Sequence, residues 1–497
     1  MLIPYIICSI LTLPGYLIIF TLMWLLSIFV FFYIKIRYGE RAVFLDSADT
    51  LFALKETYHN VSKLLLILNG NNKDEDIEAN AKRVIQERLF KYPDKFGRLM
   101  CSVHMFLGYP FFLRENVTAD NIVNTLEVDK SNFKNIQDIL SAYSSKPLPL
   151  DNKLLWEVTF LKASDKWNRL NNLKNHQVAV IIRLNHALGD GLSFMNLCAE
   201  ILGENDIRLD KTFKNIPKSA EWTKNPVMDI LLKLFFFLIV PGFYIVEKIK
   251  LFINNFDGPI IVHKQVMTFK AEKTGEHLIK KLKKIKKDIG DTSFTEVLLT
   301  LISASLYTHF QSKGDHIPKI LPFGIIFVKD LEPLTINGTP VIRNQFGYVV
   351  LSIPIATGSS SLLKRLEYLK KNSRTFSTMI DFQIRKFLLF HIIKFIPIPV
   401  LTWIFPLYGL WGSFSNLPEF PRIVIFNGHE VENCFFFTLN RDQLGTGFSV
   451  IGYDDRIHFG VTADINHIGS KEECDTIIND IFKNIELLRL EIEMKKI

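Results

Sequence analysis

The stretch "RLNHALGDGLS", Arg183 to Ser193, decides how the first half of the chain folds. Before it, "HQVAVIIRL" (His176–Leu184) is short, apolar and rich in β-branched residues, which predicts a mostly buried strand. After it, "SFMNLCAEIL" (Ser193–Leu202) has helical periodicity, with Asp190 or Ser193 placed to cap it. Gly189 and Gly191 punctuate the join and can reach backbone angles closed to other residues. His186 is therefore expected just past a strand end, on a tight turn held by a rigid frame. Two readings compete there: a turn histidine beside a capping aspartate, or a base displayed for chemistry.

The N-terminus carries the plainest physical signal. "MLIPYIICSILTLPGYLIIFTLMWLLSIFVFFYI" contains no charged side chain, and Gly15–Ile34 alone is long enough to span a bilayer. Pro14-Gly15 is a natural break, so a tilted span and a two-armed hairpin are both expected shapes. No basic n-region and no small-x-small site mark it as a cleaved signal. Lys35, Arg37 and Arg41 follow at once, which places the rest of the chain in the cytosol. The endoplasmic reticulum is the expected membrane, with the lipid droplet and plasma membrane as alternatives.

The remainder reads as alternating strands and helices. "KYPDKFGRLMCSVHMFLGYPFFL" predicts two strands around a turn. "PVMDILLKLFFFLIVPGFYIVEKIKLFI" (Pro226–Ile253) predicts a core helix or one lying at a membrane interface. In "HLIKKLKKIKKDIG", Leu278, Leu282, Ile285 and Ile289 share a helical stripe, so the lysines form its polar face. "KFLLFHIIKFIPIPVLTWIFPLYGLWGSFSNLP" is apolar but cut by Pro397, Pro399 and Pro406; Trp403, Tyr408 and Trp411 suit a membrane surface or a tunnel lining. A net charge of +8 suits an anionic lipid or a phosphorylated partner, and no arginine stripe with interleaved aromatics suggests nucleic acid. Five scattered cysteines without C-x-x-C spacing argue against a disulfide framework or a zinc site, and no metal is expected. The division expected is an anchor at 1–42, a first lobe at 43–215, an apolar linker at 216–263 and a second lobe at 264–497.

"NHALGDG" (Asn185–Gly191) resembles the H-H-x-x-x-D-G motif of the wax ester synthase/diacylglycerol acyltransferase family, within the CoA-dependent acyltransferases of chloramphenicol-acetyltransferase-like fold. "PLPLDNKLLWEVTFL" (Pro147–Leu161), "DTSFTEVLLTLISASL" (Asp291–Leu306), "NQFGYVVLSIPI" (Asn344–Ile355), "SFSNLPEFP" (Ser413–Pro421) and "SVIGYDDRIHFGVTAD" (Ser449–Asp464) resemble further family segments in the family's order. Together they cover roughly residues 43 to 490. The departures are Asn185 for the first motif histidine, Thr295 and Glu296 for an N-D pair, Leu154 for a proline and Glu419 for a glycine.

The resemblance implies an α/β fold of two lobes with mixed sheets around a central tunnel, beyond the N-terminal transmembrane or hairpin anchor. It implies a membrane-bound O-acyltransferase with no bound cofactor, using acyl-CoA as co-substrate and a long-chain alcohol or diacylglycerol as acceptor, with membrane lipids as partners. An imidazole near its reference pKa of about 6.5 can take the alcohol's proton and pass it to the leaving thiolate. His186 is the expected base. Asp190 is expected to support the turn by meeting an arginine, Arg183 or Arg343, and Gly191 to let the following helix start close behind the histidine. Asn185, Ser415, Asn416 and Thr295 are the candidates for oxyanion stabilisation or substrate positioning, with a backbone N–H of the turn as a further donor. Trp156 is expected in the core. Two alternatives stand beside this reading: transfer to another hydroxyl or amine, and a membrane-tethered lipid binder that has lost the reaction.

Overall fold

Two six-stranded mixed sheets arise from the apolar runs of the sequence. The computed structural model describes residues 2–53, 60–70, 76–130, 133–146, 148, 154–174, 176–200, 202–203, 225–254, 261–262, 264–327, 335–336, 339–357, 361–404, 410–439 and 444–496. The strands that matter are β1 (Val61–Asn69), β2 (Val123–Glu127), β3 (Trp156–Lys162) and β4 (Gln177–Asn185). They are followed by β5 (Gln265–Ala271), β6 (Ile320–Phe327), β7 (Gly347–Pro354) and β8 (Gly412–Phe420). β9 (His429–Phe437), β10 (Thr446–Tyr453) and β11 (Arg456–Asp464) complete the set. The first sheet runs from a short strand at Val424–Ile425 through β9, β1, β4, β3 and β2; the second runs β7, β6, β8, β10, β11, β5. β9 comes from the second half of the chain yet pairs antiparallel with β1. The two lobes therefore share a strand, and the division at residue 263 is crossed there. The boundary at 215–216 lies outside the described residues, as do Pro406 and Tyr408.

β1 is buried on both faces, as a strand covered on either side must be. Leu64, Leu66 and Leu68 enter the large core, while Leu65 and Ile67 enter a separate cluster under helix α2 (Ile136–Ser144). That second cluster also takes Met267 of β5 and Phe437 of β9, and Ser141 on α2 accepts a hydrogen bond from the Met267 N–H at 3.0 Å. "CSVHMFLGYPFFL" forms the expected hairpin, Cys101–Phe106 against Tyr109–Arg114, turning on Leu107 and Gly108 at positive φ. Trp156 is buried and donates its indole N–H to the Leu99 carbonyl at 2.8 Å, a core role as expected.

The other helices follow the sequence signals. α3 (Gly191–Glu200) follows the motif turn, and α4 (Pro226–Asn254) is the apolar helix. α5 (Leu278–Ile289) buries Leu278, Ile279, Leu282 and Ile285, and its Lys280, Lys281 and Lys283 pair with Asp455, Glu486 and Glu419. Those lysines thus serve the protein surface. α6 (Phe294–Lys313) starts with a capping box in which Ser293 and Glu296 satisfy each other's backbone N–H groups. α7 (Phe376–Phe387) packs beside α4, and Lys471–Lys496 closes the chain.

The N-terminal segment departs from the two-armed expectation. Leu2–Tyr38 is one helix, α1, running straight through Pro14. α1 packs antiparallel on α4: Tyr5 meets Phe243, Ser9 meets Gly242, and Tyr16 and Phe20 meet Phe237. Gly242 is required at this crossing, because a Cβ there would lie 1.9 Å from the Tyr5 carbonyl oxygen. Its N–H donates to Ser9 Oγ at 3.0 Å, and Ser9 in turn donates to the Ile239 carbonyl. Further along, the Tyr109 hydroxyl donates to the Met23 carbonyl at 2.8 Å, and Val30 and Ile34 pack on Ala42, Phe111 and Leu113. One stripe of α1 thus touches the body from Tyr5 to Ile34, while Ile10, Leu11, Ile18, Leu22, Leu25 and Phe29 on the remaining faces are exposed.

Candidate active site between the lobes

β4 ends at Asn185, and the next N–H, of His186, donates to the Asn60 carbonyl at 2.8 Å. The turn then closes on itself. Ala187 N–H donates to Asn185 Oδ1 at 2.9 Å, Leu188 N–H to the Asn185 carbonyl at 3.0 Å, and Gly189 N–H to the His186 carbonyl at 3.2 Å. Asn185 is therefore spent on the turn and does not line the cavity described below, which is a correction to its expected role at substrate. Neither Gly189 nor Gly191 has positive φ. Gly189 matters for space: a Cβ would come within 3.0 Å of Ile342 and 3.3 Å of the Arg343 nitrogen. Gly191 would make only ordinary contact, 3.4 Å from Leu417, so the tight approach falls two residues earlier than expected.

Asp190 stitches this turn to the second lobe. Its Oδ1 accepts from the Ser193 N–H at 2.9 Å, which caps α3, and its Oδ2 accepts from the Gln345 N–H at 2.7 Å. Its own N–H, and the Ser193 hydroxyl, donate to the Arg343 carbonyl at 3.3 and 2.6 Å. The expected arginine support takes another form: Arg343 contributes its carbonyl, and Arg183 gives its guanidinium to Glu157 at 2.6 Å and to the Tyr143 and Lys146 carbonyls.

Asn344 is a member of the site that sequence reading passed over, though it opens a quoted segment. Its Nδ2 donates to the His186 carbonyl at 2.7 Å and to Asp49 Oδ1 at 2.8 Å. Asp49 meets Arg98 at 2.5 Å, and Arg98 donates to the Ala187 carbonyl at 2.6 Å. Burial holds the Asp49 carboxyl above its ordinary value against the pull of Arg98 and Asn344. This network joins four distant stretches, so no local spacing could have announced it.

The His186 ring stacks on Phe52, centroids 4.2 Å apart, and meets Phe346 edge-on at 5.7 Å. Nδ1 is enclosed without a hydrogen-bond partner, and Nε2 is the nitrogen left open to the cavity. Burial pushes the imidazole below its ordinary 6.5, outweighing the nearby Asp190 carboxylate, its own carbonyl and Asn344, which favour the charged ring. The ring is thus a neutral base at pH 7.

The cavity it faces has a volume of about 180 Å³ and lies between the two lobes. Leu184, Phe194, Ile326, Phe346, Leu410 and Leu417 make most of the wall apolar, with Lys63, Ser413, Ser415 and Tyr348 as polar points. His186, Asp190, Gly191 and Ser415 are brought together around it. Ser415 sits on the β8 face that also turns Ser413 and Leu417 inward, and its hydroxyl bonds no described residue. Asn416 is one residue out of phase and shares the opposite face with Phe414, which belongs to the second-lobe core. Thr295 lies in the first turn of α6, away from this wall. Both are corrections to the expected positioning set. Lys63 was missed; its signal was a single charge within "VSKLLLILN", a run otherwise made to be buried. Burial, and then Arg183, push its amine down to about 7.

Residues 343–488 match the family model of the WS/DGAT C-terminal domain. No curated protein sequence matches the chain. Among solved structures, the wax ester synthase/diacylglycerol acyltransferase from Marinobacter aquaeolei VT8 is similar at 16% identity, over 90% of this chain and 99% of that one, with a TM-score of 0.55. The trichothecene 15-O-acetyltransferase from Fusarium sporotrichioides is similar at 12% identity, over 90% and 95%, with a TM-score of 0.60. The starter condensation domain of rhizomide synthetase, solved with C8-CoA and Leu-SNAC, is similar at 10% identity, over 92% and 96%, with a TM-score of 0.50. Residues 343–488 thus carry a WS/DGAT C-terminal domain, and the two mixed sheets with their shared strand give the chain the fold of these acyltransferases.

Proposed function

We propose that the protein moves a fatty acyl group from acyl-CoA to the hydroxyl of a lipophilic alcohol or diacylglycerol at a membrane surface. The observation that carries this is His186 lining a largely apolar cavity between the lobes, with Nδ1 buried and Nε2 left as the nitrogen for chemistry. The cavity measures about 180 Å³ and is lined mostly by apolar side chains. That suits the thioester and hydroxyl with the first carbons of each, and little bulk water to compete with the alcohol. Nε2 takes the hydroxyl proton as the alcohol oxygen attacks the thioester carbonyl. Ser415 Oγ–H is the donor for the oxyanion of the tetrahedral intermediate. Collapse breaks the carbon–sulfur bond, and the proton passes from Nε2 to the thiolate, leaving ester and free CoA. Labelled acyl-CoA supplied with a fatty alcohol or diacylglycerol should yield wax ester or triacylglycerol. His186→Ala should reduce that yield about 10²–10⁴-fold; an unchanged rate would remove the base from the mechanism and favour a lipid-binding role.

We infer that α1 lies along the membrane surface. Its contact stripe from Tyr5 to Ile34 covers about 44 Å at 1.5 Å per residue, longer than the roughly 30 Å hydrocarbon core. A helix held to the protein body over that length keeps the body beside it, so its free apolar faces enter one leaflet. Val227, Ile230 and Leu231 on α4, and Trp403, extend the exposed apolar surface. Single cysteines placed at Ile3 and Ile36, in a Cys8→Ser background, should both react with an impermeant thiol reagent from the same side of sealed vesicles. Labelling from opposite sides would establish a crossing instead.

A further inference from the structure

Lys63 is a buried amine with no visible employment. It is 5% exposed, lines the cavity, and makes no hydrogen bond or ion pair with the described residues. Strand pairing sets Phe437, Lys63, Arg183 and Glu157 side by side across β9, β1, β4 and β3. Glu157 is the only carboxylate in that row and is committed to Arg183. Two basic groups therefore face one anion, and the surplus is the amine at the cavity wall. A buried amine without an acceptor is costly whether or not it is charged, so its retention asks for a ligand atom that accepts a hydrogen bond from it.

Position narrows the ligand. Val61 pairs with Asn185, so Lys63 stands about three residues of strand, roughly 10 Å, from the level of His186. By strand alternation Lys63 shares its face with Leu65 and Ile67, on the side of the first sheet covered by α2. α1 and α4 join the core on the other side, with Leu64, Leu66 and Leu68. A different wall residue leads toward those helices. Tyr348 accepts a hydrogen bond from Arg385 at 3.4 Å; Arg385 pairs with Glu247 on α4, and Glu247 with Lys250, which donates to the Tyr5 hydroxyl of α1 at 2.9 Å. Tyr348 is on β7, four strand spacings, roughly 19 Å, from β11, where Gly460 would contact Phe437, the neighbour of Lys63. The cavity therefore has an end at Lys63, remote from the lipid-facing helices, and an end at Tyr348, beside them.

We propose that Lys63 is a positioning residue for the thioester donor: its amine donates to an amide carbonyl of the pantetheine arm of acyl-CoA, which enters at the Lys63 end while the lipophilic acceptor enters at the Tyr348 end. This rests on the acyltransferase reading above. The arm carries two amides within the span between Lys63 and the reacting sulfur, whereas a fatty alcohol or diacylglycerol offers no comparable acceptor beyond its esters. A carbonyl accepting from the amine also favours its charged form, and a charged donor in a dry site makes the strong kind of hydrogen bond.

The test compares Lys63→Met with wild type on the full chain in detergent, using acyl-CoA and the acyl thioester of ethanethiol, which lacks both amides. Lys63→Met should raise KM for acyl-CoA about 10- to 100-fold, a hydrogen bond to a charged group being worth about 1.5–3 kcal/mol. The loss should appear in KM rather than kcat, and KM for the ethanethiol ester should be equal in the two proteins. Tm should rise, because an uncompensated buried amine is replaced by an apolar side chain of similar length. Should Lys63→Met fail to fold, Lys63→Gln serves the same comparison. An equal KM increase for both thioesters overturns the proposal, as does an increase confined to the alcohol, which would put the acceptor at the Lys63 end. If wild type transfers no acyl group, the acyltransferase reading fails separately. Calorimetric binding of CoA then decides: weaker binding to Lys63→Met supports the contact, and equal binding refutes it.

Discussion

The reactivity of His186 is set by what surrounds the ring. Phe52 and Phe346 exclude water from its faces, and burial disfavours the imidazolium more than Asp190 favours it. The active form is the neutral ring, and a lowered pKa extends that form to lower pH. The acid limb of kcat/KM is therefore expected below pH 6.5, with a flat profile through pH 7; a pH–rate series on the soluble thioester checks it, and an acid limb above 6.5 would contradict the environment described. Asp190 works at one remove. Two backbone N–H groups, one from each lobe, end on its carboxylate, so it holds the histidine's turn against residues 343–345. That a strand end, a histidine and a capping aspartate meet here is legible in "RLNHALGDGLS". That the partner is the backbone of Gln345 is not, because 155 residues separate the two ends of the bond.

The elements were mostly readable, and the exceptions share one cause. β4, the Cys101–Arg114 hairpin and α5 fall where periodicity and turn residues predict them. α1 and α4 run through Pro14 and Pro241, where local rules expect a break. At the Pro241-Gly242 step the neighbouring helix helps: Ser9 of α1 accepts the Gly242 N–H and donates to the Ile239 carbonyl. Gly242→Val should force the pair apart, since even a Cβ would overlap the Tyr5 carbonyl. A cost of about 1–3 kcal/mol is expected for such overpacking, visible as a lower Tm. An unchanged Tm would mean that α1 rests on the body through its other contacts alone.

Over the whole molecule, the lobes are joined where β9 leaves the second half of the chain to complete the first sheet. His458 on β11 sits at this seam, with Nε2 3.1 Å from Asn433 Oδ1 on β9 and its ring against Phe435 and Tyr453. Burial, and then Arg456, push its pKa down to about 3. An unfolded chain binds that proton near 6.5, so the native state binds fewer protons between those values. The stability contributed by neutral His458 is complete above pH 6.5 and is lost as pH falls toward 3. Thermal unfolding from pH 7 to pH 4 should show Tm falling, with a shallower fall in His458→Gln; identical slopes would place the acid sensitivity elsewhere.

The sequence by itself determined the local pieces: an uncharged N-terminal helix, buried strands, a histidine on a capped turn, and enough ordered motifs to point to the family. Their periodicities and caps are short-range, set by neighbours within a few residues. Only the tertiary structure decided which polar groups face the cavity, that Asn185 and Asn416 do not, that Asn344 and Lys63 belong to the site, and that α1 lies against the body. Those facts depend on strand parity, on cross-lobe hydrogen bonds and on which apolar faces meet, and each joins residues too far apart in the chain for any spacing to carry.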